Sequence, residues 1–304
     1  MLAGGVGAAR LLAGLIQVRP PEDLTAVVNV GDDVVLHGLH VSPDIDTITY
    51  TLAGAIDPER GWGLAGETWH AMEGLRRFPL ARSWFDLGDR DLATHLYRTD
   101  RLGAGASLTE VSAEIATAWE LGCRLLPVTD EPLQTMVTVA DEGEIGFQEY
   151  FVRRHHDVVV EAVRFAGAEA ATPGPEVLGA IADAERVVIA PSNPIVSIEP
   201  LLVVPGVRAA VEARRPDTVA VSPIVAGAAL RGPADRLLRE LGHESSVVGV
   251  ARLYAPLAAT LVVDEADAGQ AAAVEAAGMR CVVGPTIMRG LAEAAALAEL
   301  VLAA

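Results

Sequence analysis

Short apolar, β-branched runs alternate with helical stretches along most of this 304-residue chain. A helix between two consecutive strands favours parallel pairing, because a parallel connection has to cross over the sheet. We therefore predict an α/β fold, of the Rossmann-like three-layer type, with a mostly parallel sheet covered by helices on both faces. The predicted strands are Leu24–Val30, Arg124–Pro127, Arg186–Ala190, Thr218–Ser222, Ala259–Val263 and Arg280–Val283. The predicted helices are Glu176–Ala184, Gly206–Ala213, Ala234–Leu241, Ala268–Ala277 and Ile287–Leu302.

A mostly helical stretch interrupts this alternation between residue 43 and about residue 122. One helix start within the stretch is clear, because Ser107 and Glu110 have the spacing of a capping box. Gly122 is a suitable residue to end that helix.

Residues Thr135–Val152 form two alternating runs around Asp141-Glu142-Gly143, and this pattern predicts a β-hairpin. Together with the helical stretch before it, we interpret residues 43–155 as an inserted, largely helical lobe. No proline- or serine-rich linker separates this lobe from the sheet, so we predict one domain that spans residues 1–304.

The first ten residues contain the glycine-rich segment Gly4-Gly5-Val6-Gly7-Ala8-Ala9-Arg10, and an apolar helical run follows at once. Glycines let the backbone approach a ligand closely, and the first N–H groups of a helix attract anions. We therefore predict a phosphate site formed by Gly4, Gly5, Gly7 and Arg10; a tight turn without a ligand is the alternative. Only three residues precede the glycines, which leaves open a natural start upstream of Met1.

Arg10 stands where a dinucleotide-binding fingerprint has its third glycine, which allows a helix to pack closely on a strand. An arginine cannot take that packing role, but its guanidinium can bind phosphate oxygens through two hydrogen bonds. A charged phosphate ligand is therefore favoured over NAD, and an NAD-dependent oxidoreductase is the weaker alternative.

The chain is strongly acidic, with 23 basic and 41 acidic residues and a net charge of −18. This charge argues against a nucleic-acid or anionic membrane partner, since both need a basic surface. A phosphorylated ligand then needs a divalent cation or local arginines to hold it.

Two cysteines, Cys123 and Cys281, are too few for a disulfide framework and predict a cytoplasmic protein. No uncharged apolar run has the length of a membrane span.

Two acidic segments lie early in the chain. Asn29-Val30-Gly31-Asp32-Asp33 ends the predicted strand Leu24–Val30, where Asn29 and Asp32 are predicted either to bind ribose hydroxyls or to form a turn.

The second segment, Ser42-Pro43-Asp44-Ile45-Asp46-Thr47, fits a helix start with a first-turn proline. If this segment is extended instead, Asp44 and Asp46 share one face and fit a Mg²⁺ site. We predict both as metal ligands; a helix cap is the alternative.

A third charged segment is Leu87-Gly88-Asp89-Arg90-Asp91, with His95 one helical turn after Asp91. On a helix Asp91 and His95 share a face, and a solvated helix start is the usual explanation for such a charged run. Nearby aromatic residues either belong to the core or form a wall for a flat ring ligand. These residues are Trp62, Trp69, Trp84 and Phe85.

Two similar loops follow consecutive predicted strands. They contain Ala190-Pro191-Ser192-Asn193-Pro194 and Ser222-Pro223-Ile224-Val225-Ala226-Gly227. Since ligands bind beyond the carboxyl ends of parallel strands, we predict a nucleotide pocket there; plain connections are the alternative. The binding candidates are Ser192, Asn193, Ser222 and Pro223.

Taken in order, the segments GGVGAAR, VVNVGDD, SPDIDT, LGDRDLATH, APSNP and SPIVAG resemble the 2-phospho-L-lactate transferases of deazaflavin coenzyme (F-420) biosynthesis. The resemblance covers nearly the whole chain. It implies that a phosphoenolpyruvyl or 2-phospho-L-lactyl group moves from a guanosine-diphosphate-activated donor to the ribityl hydroxyl of the deazaflavin Fo, with release of GMP. It also implies Mg²⁺ and a homodimer.

The same resemblance implies roles for the segments. The loop Gly4–Arg10 would hold the diphosphate, Asp44 and Asp46 would hold Mg²⁺ or the Fo hydroxyls, and the lobe would cover Fo. One of the catalytic candidates Asp44, Asp46, Asp89 and Asp91 would orient the attacking hydroxyl as a base. The APSNP and SPIVAG loops would bind the guanosine end, and Arg90 and His95 of the LGDRDLATH segment would be binding residues. The alanine-rich loop with Arg10 is similar to the actinobacterial form, which implies the enolpyruvyl donor. A hypothesis of another class is a non-catalytic regulatory protein of the same fold that binds a nucleotide sugar. The LGDRDLATH segment and the tryptophan-rich lobe favour the transferase.

Overall fold

The computed structural model describes residues 1–79, 81–140 and 142–304. The strands are β1 Leu2–Ala3, β2 Thr25–Val28, β3 Val34–Leu36, β4 Leu39–Val41, β5 Arg124–Pro127, β6 Gln134–Val139, β7 Gly143–Gly146, β8 Val160–Ala166, β9 Val187–Ile189, β10 Thr218–Val221, β11 Ile224–Val225, β12 Ala228–Ala229, β13 Thr260–Val263 and β14 Arg280–Val283. The α-helices are α1 Gly5–Val18, α2 Pro43–Leu52, α3 His70–Leu75, α4 Leu92–Gly103, α5 Leu108–Ala118, α6 Val177–Ala182, α7 Glu199–Leu202, α8 Val207–Ala213, α9 Ala234–Glu240, α10 Val247–Tyr254, α11 Ala271–Ala276 and α12 Leu291–Ala303.

A seven-stranded sheet forms the centre, in the order β14-β13-β10-β9-β1-β2-β5, and all of its pairs are parallel. The α/β fold with a mostly parallel sheet is therefore confirmed. The chain runs from β1 outward through β2 to β5 and then returns to β9 on the other side of β1. The sheet changes direction between β1 and β9, and a crevice opens at such a point in folds of this class.

The predicted strands all occur, most of them one or two residues shorter at an end, because their last residues bend into the loops at the carboxyl edge. Strand β8 and helix α10 were not predicted. Helix α10 begins at Ser246, whose hydroxyl accepts hydrogen bonds from the amides of Val248 and Gly249. The helix predicted to start at Ile287 starts later, at Leu291, because Gly290 is its extended N-cap.

The predicted lobe, residues 43–155, encloses β5, which belongs to the central sheet. It is thus made of two insertions. The first, between β2 and β5, contains the β3–β4 hairpin and helices α2 to α5. The second, between β5 and β9, contains the three-stranded antiparallel sheet β7-β6-β8.

The predicted hairpin is present as β6 and β7, and its turn residue Asp141 lies outside the described residues. Its second strand ends at Gly146, and a π-helical turn over Glu149–Arg153 replaces the predicted end of that strand. The capping box is confirmed, since the Glu110 amide donates to the Ser107 hydroxyl over 3.1 Å. Helix α5 ends at Ala118 rather than near Gly122, and Glu120 adopts the left-handed conformation after it.

No single helix in the described ranges is long and apolar enough to cross a membrane. One pair, Pro194–Leu202 and Val207–Ala213, meets the length and composition criteria only when its two parts, bent by 95°, are taken together.

Helix α1 packs very closely on α12, because Gly14 presents no side chain at the contact. A Cβ atom added to Gly14 would lie 2.1 Å from the carbonyl oxygen of Ala294. The backbone of one helix thus rests on the backbone of the other, and this contact fixes the position of α1 below the sheet crevice.

Gly14→Ala should lower the free energy of unfolding by about 1–3 kcal/mol, because the new methyl group overlaps a carbonyl and pushes α1 away from α12. Urea denaturation measures the change. Gly103→Ala is the matched control, since an added Cβ at this last residue of α4 meets no atom within 4 Å. We expect this variant to keep or slightly raise the stability. Equal stabilities of the two variants would contradict the close helix contact.

Candidate functional site

The glycine-rich segment lies at the crevice between β1 and β9 and turns directly into α1. A Cβ atom at Gly7 would lie 2.2 Å from the carbonyl oxygen of Pro191, and Gly5 has a φ of +70°. The Ser192 hydroxyl donates to the Gly4 carbonyl over 2.6 Å. These glycines therefore let the loop after β9 close onto the start of α1. The first amide of this helix, that of Gly5, donates to the Asp44 carboxylate, so a carboxylate of the protein lies where the predicted phosphate site begins. The phosphate site stays a prediction.

Asn29 holds Asp44 against the start of α1. The Asn29 amide nitrogen donates to Asp44 Oδ2 over 2.9 Å, and its oxygen accepts from the Gly31 amide over 2.8 Å. Asp44 Oδ2 lies so close to Gly4 that a Cβ there would be 3.0 Å away. Burial raises the pKa of Asp44 to about 6, against the hydrogen bond from Asn29. Asn29 thus positions a carboxylate here, which differs from its predicted contact with a ribose.

Asp32 and Asp33 lie beside Asp44 and complete a cluster of three buried carboxylates. Burial, and then the charge of Asp44, raise the pKa of Asp32 well above its ordinary value. Asp32 Oδ1 is buried and has no hydrogen-bond partner among the described residues. Asp33 Oδ2 accepts from the Ser42 hydroxyl over 2.7 Å and lies 2.9 Å from His40 Nε2. The cluster therefore holds more negative charge than its neighbours compensate.

Asp46 lies on the other side of α2 from Asp44. The segment is helical, with Ser42 as N-cap and Pro43 in the first turn, so the extended arrangement is not found. Residues two apart on a helix do not face each other. Both carboxylate oxygens of Asp46 instead accept from the guanidinium of Arg98, which is fully buried. This geometry does not favour a metal ion shared by Asp44 and Asp46. The assignment of both aspartates as metal ligands stays a prediction.

The ion pair continues into a buried polar chain across α4 and α2. Arg98 Nη1 lies 3.4 Å from His95 Nδ1, and His95 Nε2 lies 3.2 Å from Asp91 Oδ2. Because arginine only donates, we assign the His95 proton to Nε2, which faces Asp91. The Tyr50 hydroxyl donates to Asp91 Oδ1. Burial would raise the pKa of Asp91, but the hydrogen bonds from His95 and Tyr50, together with the charge of Arg98, outweigh it, so this pKa is lowered.

Asp89 holds the first turn of α3. It accepts from the Thr68 hydroxyl over 2.6 Å and from the amides of His70 and Ala71 over 2.9 and 3.0 Å. These hydrogen bonds, that of Thr68 foremost, lower the pKa of Asp89. The geometry favours a structural role for Asp89 over its predicted catalytic one.

Arg90 likewise contacts only the lobe: its guanidinium donates to the carbonyl of Ala65. Glu67 accepts from the amides of Arg90 and Asp91 over 2.7 and 2.9 Å and so begins α4. Gly88 is needed beside it, since a Cβ there would lie 2.1 Å from the Glu67 carboxyl carbon. The sequence patterns did not point to Glu67, because it is 21 residues from Gly88.

The two predicted nucleotide loops, which follow β9 and β10, differ in whether a side chain keeps a hydrogen-bonding atom without a partner. The Ser222 hydroxyl accepts from the Ile224 amide over 3.1 Å and donates to the Ile224 carbonyl over 2.9 Å, so it closes a local turn with Pro223 inside it. Asn193 Oδ1 accepts from the Ile195 amide over 2.9 Å, while its Nδ2 is buried and has no partner among the described residues. A nucleotide pocket at these loops stays a prediction, and Asn193 is its better candidate.

The predicted aromatic wall divides into two parts. Trp84 and Phe85 pack on the lobe core around Met72. Trp62 and Trp69 meet edge to face with ring centres 6.0 Å apart, and Trp62 remains 43% exposed. Only this second pair can offer a ring face to a ligand.

Comparison with known proteins places the chain in a family. Residues 1–282 match the family model described as 2-phospho-L-lactate transferase CofD. The chain is 45% identical to a phosphoenolpyruvate transferase of Kitasatospora aureofaciens over 99% of this chain and 96% of that protein. It is 46% identical to a phosphoenolpyruvate transferase of Streptomyces griseus subsp. griseus over 98% and 95% of the two chains.

A solved structure has the same fold. It is a member of the upf0052 family from Bacillus halodurans, with a TM-score of 0.63 at 16% identity, covering 99% of this chain and 97% of that one. An open α/β sheet with a glycine turn at the point where the strand order reverses defines a class of proteins that bind ligands beyond the carboxyl ends of the strands. Within that class, this chain belongs to the 2-phospho-L-lactate transferase CofD family.

Asp44→Asn should stabilise the metal-free protein at neutral pH. The native pKa of about 6 lies above the ordinary unfolded value, so the native state binds the extra proton between about pH 4 and 6. Its stability therefore falls as the pH rises through this window, and the asparagine variant avoids that loss. We expect an advantage near zero at pH 4 that grows to about 2–3 kcal/mol at pH 7.

Guanidinium denaturation in metal-free buffer at several pH values measures this advantage. Asp183→Asn, at an exposed position, is the control and should give no pH-dependent difference. A pH-independent effect of Asp44→Asn would contradict the uncompensated charge.

Arg98→Ala should cost about 3–5 kcal/mol of stability, because it leaves Asp46 buried and unpaired. Adding Asp46→Asn should recover part of this loss. Arg101→Ala on the same helix is the control: its pair with Glu114 is about one-third exposed, and its loss should cost much less stability than the loss of Arg98. Thermal denaturation compares the three variants, and similar losses for Arg98→Ala and Arg101→Ala would show that the buried pair is unimportant.

Proposed function

We propose that this protein transfers a phosphoenolpyruvyl group, or its 2-phospho-L-lactyl counterpart, from a guanosine-diphosphate-activated donor to the ribityl hydroxyl of the deazaflavin Fo. GMP is the leaving group, and the reaction belongs to coenzyme F-420 biosynthesis. The observation that carries the proposal is the cluster of Asp32, Asp33 and Asp44 against the start of α1, at the crevice of the sheet. The family match and the name of the two relatives support the transferase chemistry, and that name favours the enolpyruvyl donor.

The residues at the crevice fit a magnesium ion. Within the described ranges, no three or more histidine, cysteine, aspartate or glutamate side chains converge as a ready metal site. Mg²⁺ is, however, commonly held by one or two carboxylates together with substrate phosphates. Asp32, with its unpartnered Oδ1, and Asp44 are the carboxylates that would hold it. When bound, the ion would neutralise charge on the diphosphate.

The chain itself supplies positioning and charge. The guanidinium of Arg10, on α1, would bind the diphosphate, as expected for a transfer that depends on orientation and electrostatics. In the proposed reaction the ribityl oxygen forms a bond to the distal phosphorus as the bond from that phosphorus to GMP breaks. The hydroxyl proton passes to solvent, and the product is a phosphodiester.

Of the four predicted catalytic aspartates, we retain Asp44 at the reaction centre. Asp46 and Asp91 lie in the buried chain of Arg98 and His95, where they hold α2 against α4. We assign them positioning roles. Asp44 is carried on the first turn of α2, so the buried chain also orients Asp44.

The half-exposed Trp62 is the candidate wall for the deazaflavin. The guanidinium carbon of Arg60 lies 5.4 Å from the Trp62 ring and 5.2 Å from the Trp69 ring, and this holds the pair in place. A flat heteroaromatic ring can stack on the free face of such an indole. If Trp62 has this role, the acceptor would bind in the lobe, as the resemblance implies.

Mass spectrometry of a reaction with Fo, the enolpyruvyl donor and Mg²⁺ should detect the phosphodiester and GMP. Asp32→Asn and Asp44→Asn should each lower kcat/KM by about 10²–10³-fold, because each removes a carboxylate that would hold the magnesium ion, whose positive charge would stabilise the transition state. Excess chelator should abolish turnover. Asp183→Asn should leave kcat/KM unchanged.

Titration with Fo, followed by its fluorescence, separates binding from chemistry. Saturable Fo binding in both asparagine variants would place the defect in catalysis. No product with either donor, or full activity in chelator, would refute the proposed transfer or its metal. Binding of a nucleotide sugar without turnover would instead support the regulatory hypothesis.

A further inference from the structure

Residues 57–64 form a compact loop of the first insertion, and we call it the Trp62 loop after its half-exposed indole. The guanidinium of Arg60 lies inside this loop. It is 3.0 Å from the Asp57 carboxylate and donates to the Leu64 carbonyl over 3.0 Å. The loop therefore keeps its shape through its own contacts, and its position in the molecule depends on contacts made from outside it.

Arg231, in the segment between β12 and α9, contacts the tip of the Trp62 loop. Its Nη1 donates to the Arg60 carbonyl over 3.4 Å, which is a long and therefore weak hydrogen bond. The same nitrogen covers Gly61, since a Cβ atom there would lie 2.3 Å from it. Gly61 is buried although Trp62 beside it is exposed. The guanidinium is thus packed on the main chain between Arg60 and Gly61.

The main chain next to Arg231 is held by the second insertion and by α9. Gly232 has a φ of +68°, and a Cβ atom there would lie 3.9 Å from Phe151 Cε2. Phe151 in turn stacks on Phe147, with ring centres 5.6 Å apart. Pro233 is buried and forms the N-cap of α9. Arg231 therefore extends from an anchored segment.

Arg60 links this contact to the indole. Its carbonyl accepts from Arg231, while its guanidinium carbon lies 5.4 Å from the Trp62 ring. Because the guanidinium lies over the ring and Arg231 contacts only the main chain here, a second ligand can still approach Trp62. Arg231 thus fixes the indole without covering it.

Three exposed apolar side chains surround the contact. They are Trp62, Phe151 and Leu230, each with more than a third of its surface exposed. Trp62 and Leu230 are chain neighbours of Gly61 and Arg231, and Phe151 touches Gly232. Exposed apolar side chains grouped in this way mark a binding surface, and aromatic rings among them suit a flat ring ligand.

We propose that Arg231 is a positioning residue that holds the Trp62 loop in place for a flat heteroaromatic acceptor. The inference rests on the proposed function for the identity of that acceptor. A loop that is fixed before the ligand arrives loses less conformational freedom on binding, so the acceptor binds more tightly. Chemistry at the acidic cluster does not depend on Arg231 once the acceptor is bound.

Limited trypsin digestion of the ligand-free protein measures the hold of Arg231 on the loop. Trypsin cuts after arginine, and the Arg60–Gly61 bond is the one that the guanidinium covers. Arg231→Gln should speed cleavage of this bond by about 3- to 10-fold, because one hydrogen bond less opposes local opening. Mass spectrometry identifies the cut, and the exposed Arg289–Gly290 bond is the internal reference.

Gly61→Ala should release the same contact without removing a charge, because its methyl group takes the place of the guanidinium. Gly63→Ala is the matched control. Gly63 is also left-handed, with a φ of +66° against +75° for Gly61, but a Cβ atom there meets no atom of the described residues within 4 Å. Gly61→Ala should speed cleavage more than Gly63→Ala. Added to Arg231→Gln, it should have no more effect than Gly63→Ala.

Titration with Fo, followed by its fluorescence, measures the consequence for binding. Arg231→Gln and Gly61→Ala should each weaken Fo binding by about 3- to 10-fold, the effect of losing one aromatic contact. The KM for Fo should rise alike, while kcat at saturating Fo and the calorimetric affinity for GDP stay unchanged. A general loss of structure would lower all of these, and equal melting temperatures of variant and wild type exclude it.

The inference is overturned if Arg231→Gln leaves the cleavage rate unchanged, if Gly61→Ala and Gly63→Ala act alike, or if a released loop binds Fo as tightly as the wild type. Weaker GDP binding with unchanged Fo binding would place Arg231 on the donor instead and also refute it.

The transfer assay is a separate result. Turnover by Arg231→Gln with the wild-type KM for Fo would leave the proposed function intact and refute the positioning role. A wild-type protein that binds no Fo would refute the proposed function, and the cleavage rates alone would then decide whether Arg231 holds the loop.

Discussion

Three carboxylates, those of Asp32, Asp33 and Asp44, are buried together where the central sheet changes direction, and much of the surrounding structure serves to hold them there. Asn29 fixes Asp44, and Ser42 and His40 contact Asp33. Burying like charges is unfavourable unless something compensates them. A site that keeps such charge uncompensated is poised for a cation or a proton.

Helix α2 connects this cluster to the lobe. One side of its first turn presents Asp44 to the glycine segment, and the other presents Asp46 to Arg98. The buried pair of Asp46 and Arg98 contributes less to net stability than its short contacts suggest, because both charges had to leave water. The pair fixes the rotation of α2 about its own axis, because one rotation brings both Asp44 to Asn29 and Asp46 to Arg98. The acidic cluster and the lobe are thereby held in a fixed relation.

In the proposed reaction an acidic chain binds an acidic ligand. A magnesium ion held by the carboxylates, together with the guanidinium of Arg10, would give a diphosphate two kinds of contact. Long-range attraction does not bring the ligand in, since the net charge opposes it. Specificity therefore depends on short-range contacts within the crevice.

Sequence periodicity was sufficient to predict the parallel sheet, because strands buried on both faces are apolar throughout and helices must connect them. It also located the acidic segments and the capping box of Ser107, which are local features. It did not predict β8, because polar and charged side chains interrupt this strand of a small exposed sheet.

What each polar side chain contacts was decided by tertiary structure alone. Asp44 and Asp46 are two residues apart in sequence, yet a helical backbone points them at different partners, Asn29 and Arg98. Asp89 belongs to a charged run that suggested a reactive residue. In the structure its carboxylate instead accepts from the amides of His70 and Ala71 in the first turn of α3, 19 and 18 residues earlier in the chain. The sequence alone determined the fold class and the family, since both follow from local patterns. The pairing of charges needed the three-dimensional structure, because contacts between distant segments leave no periodic trace in the chain.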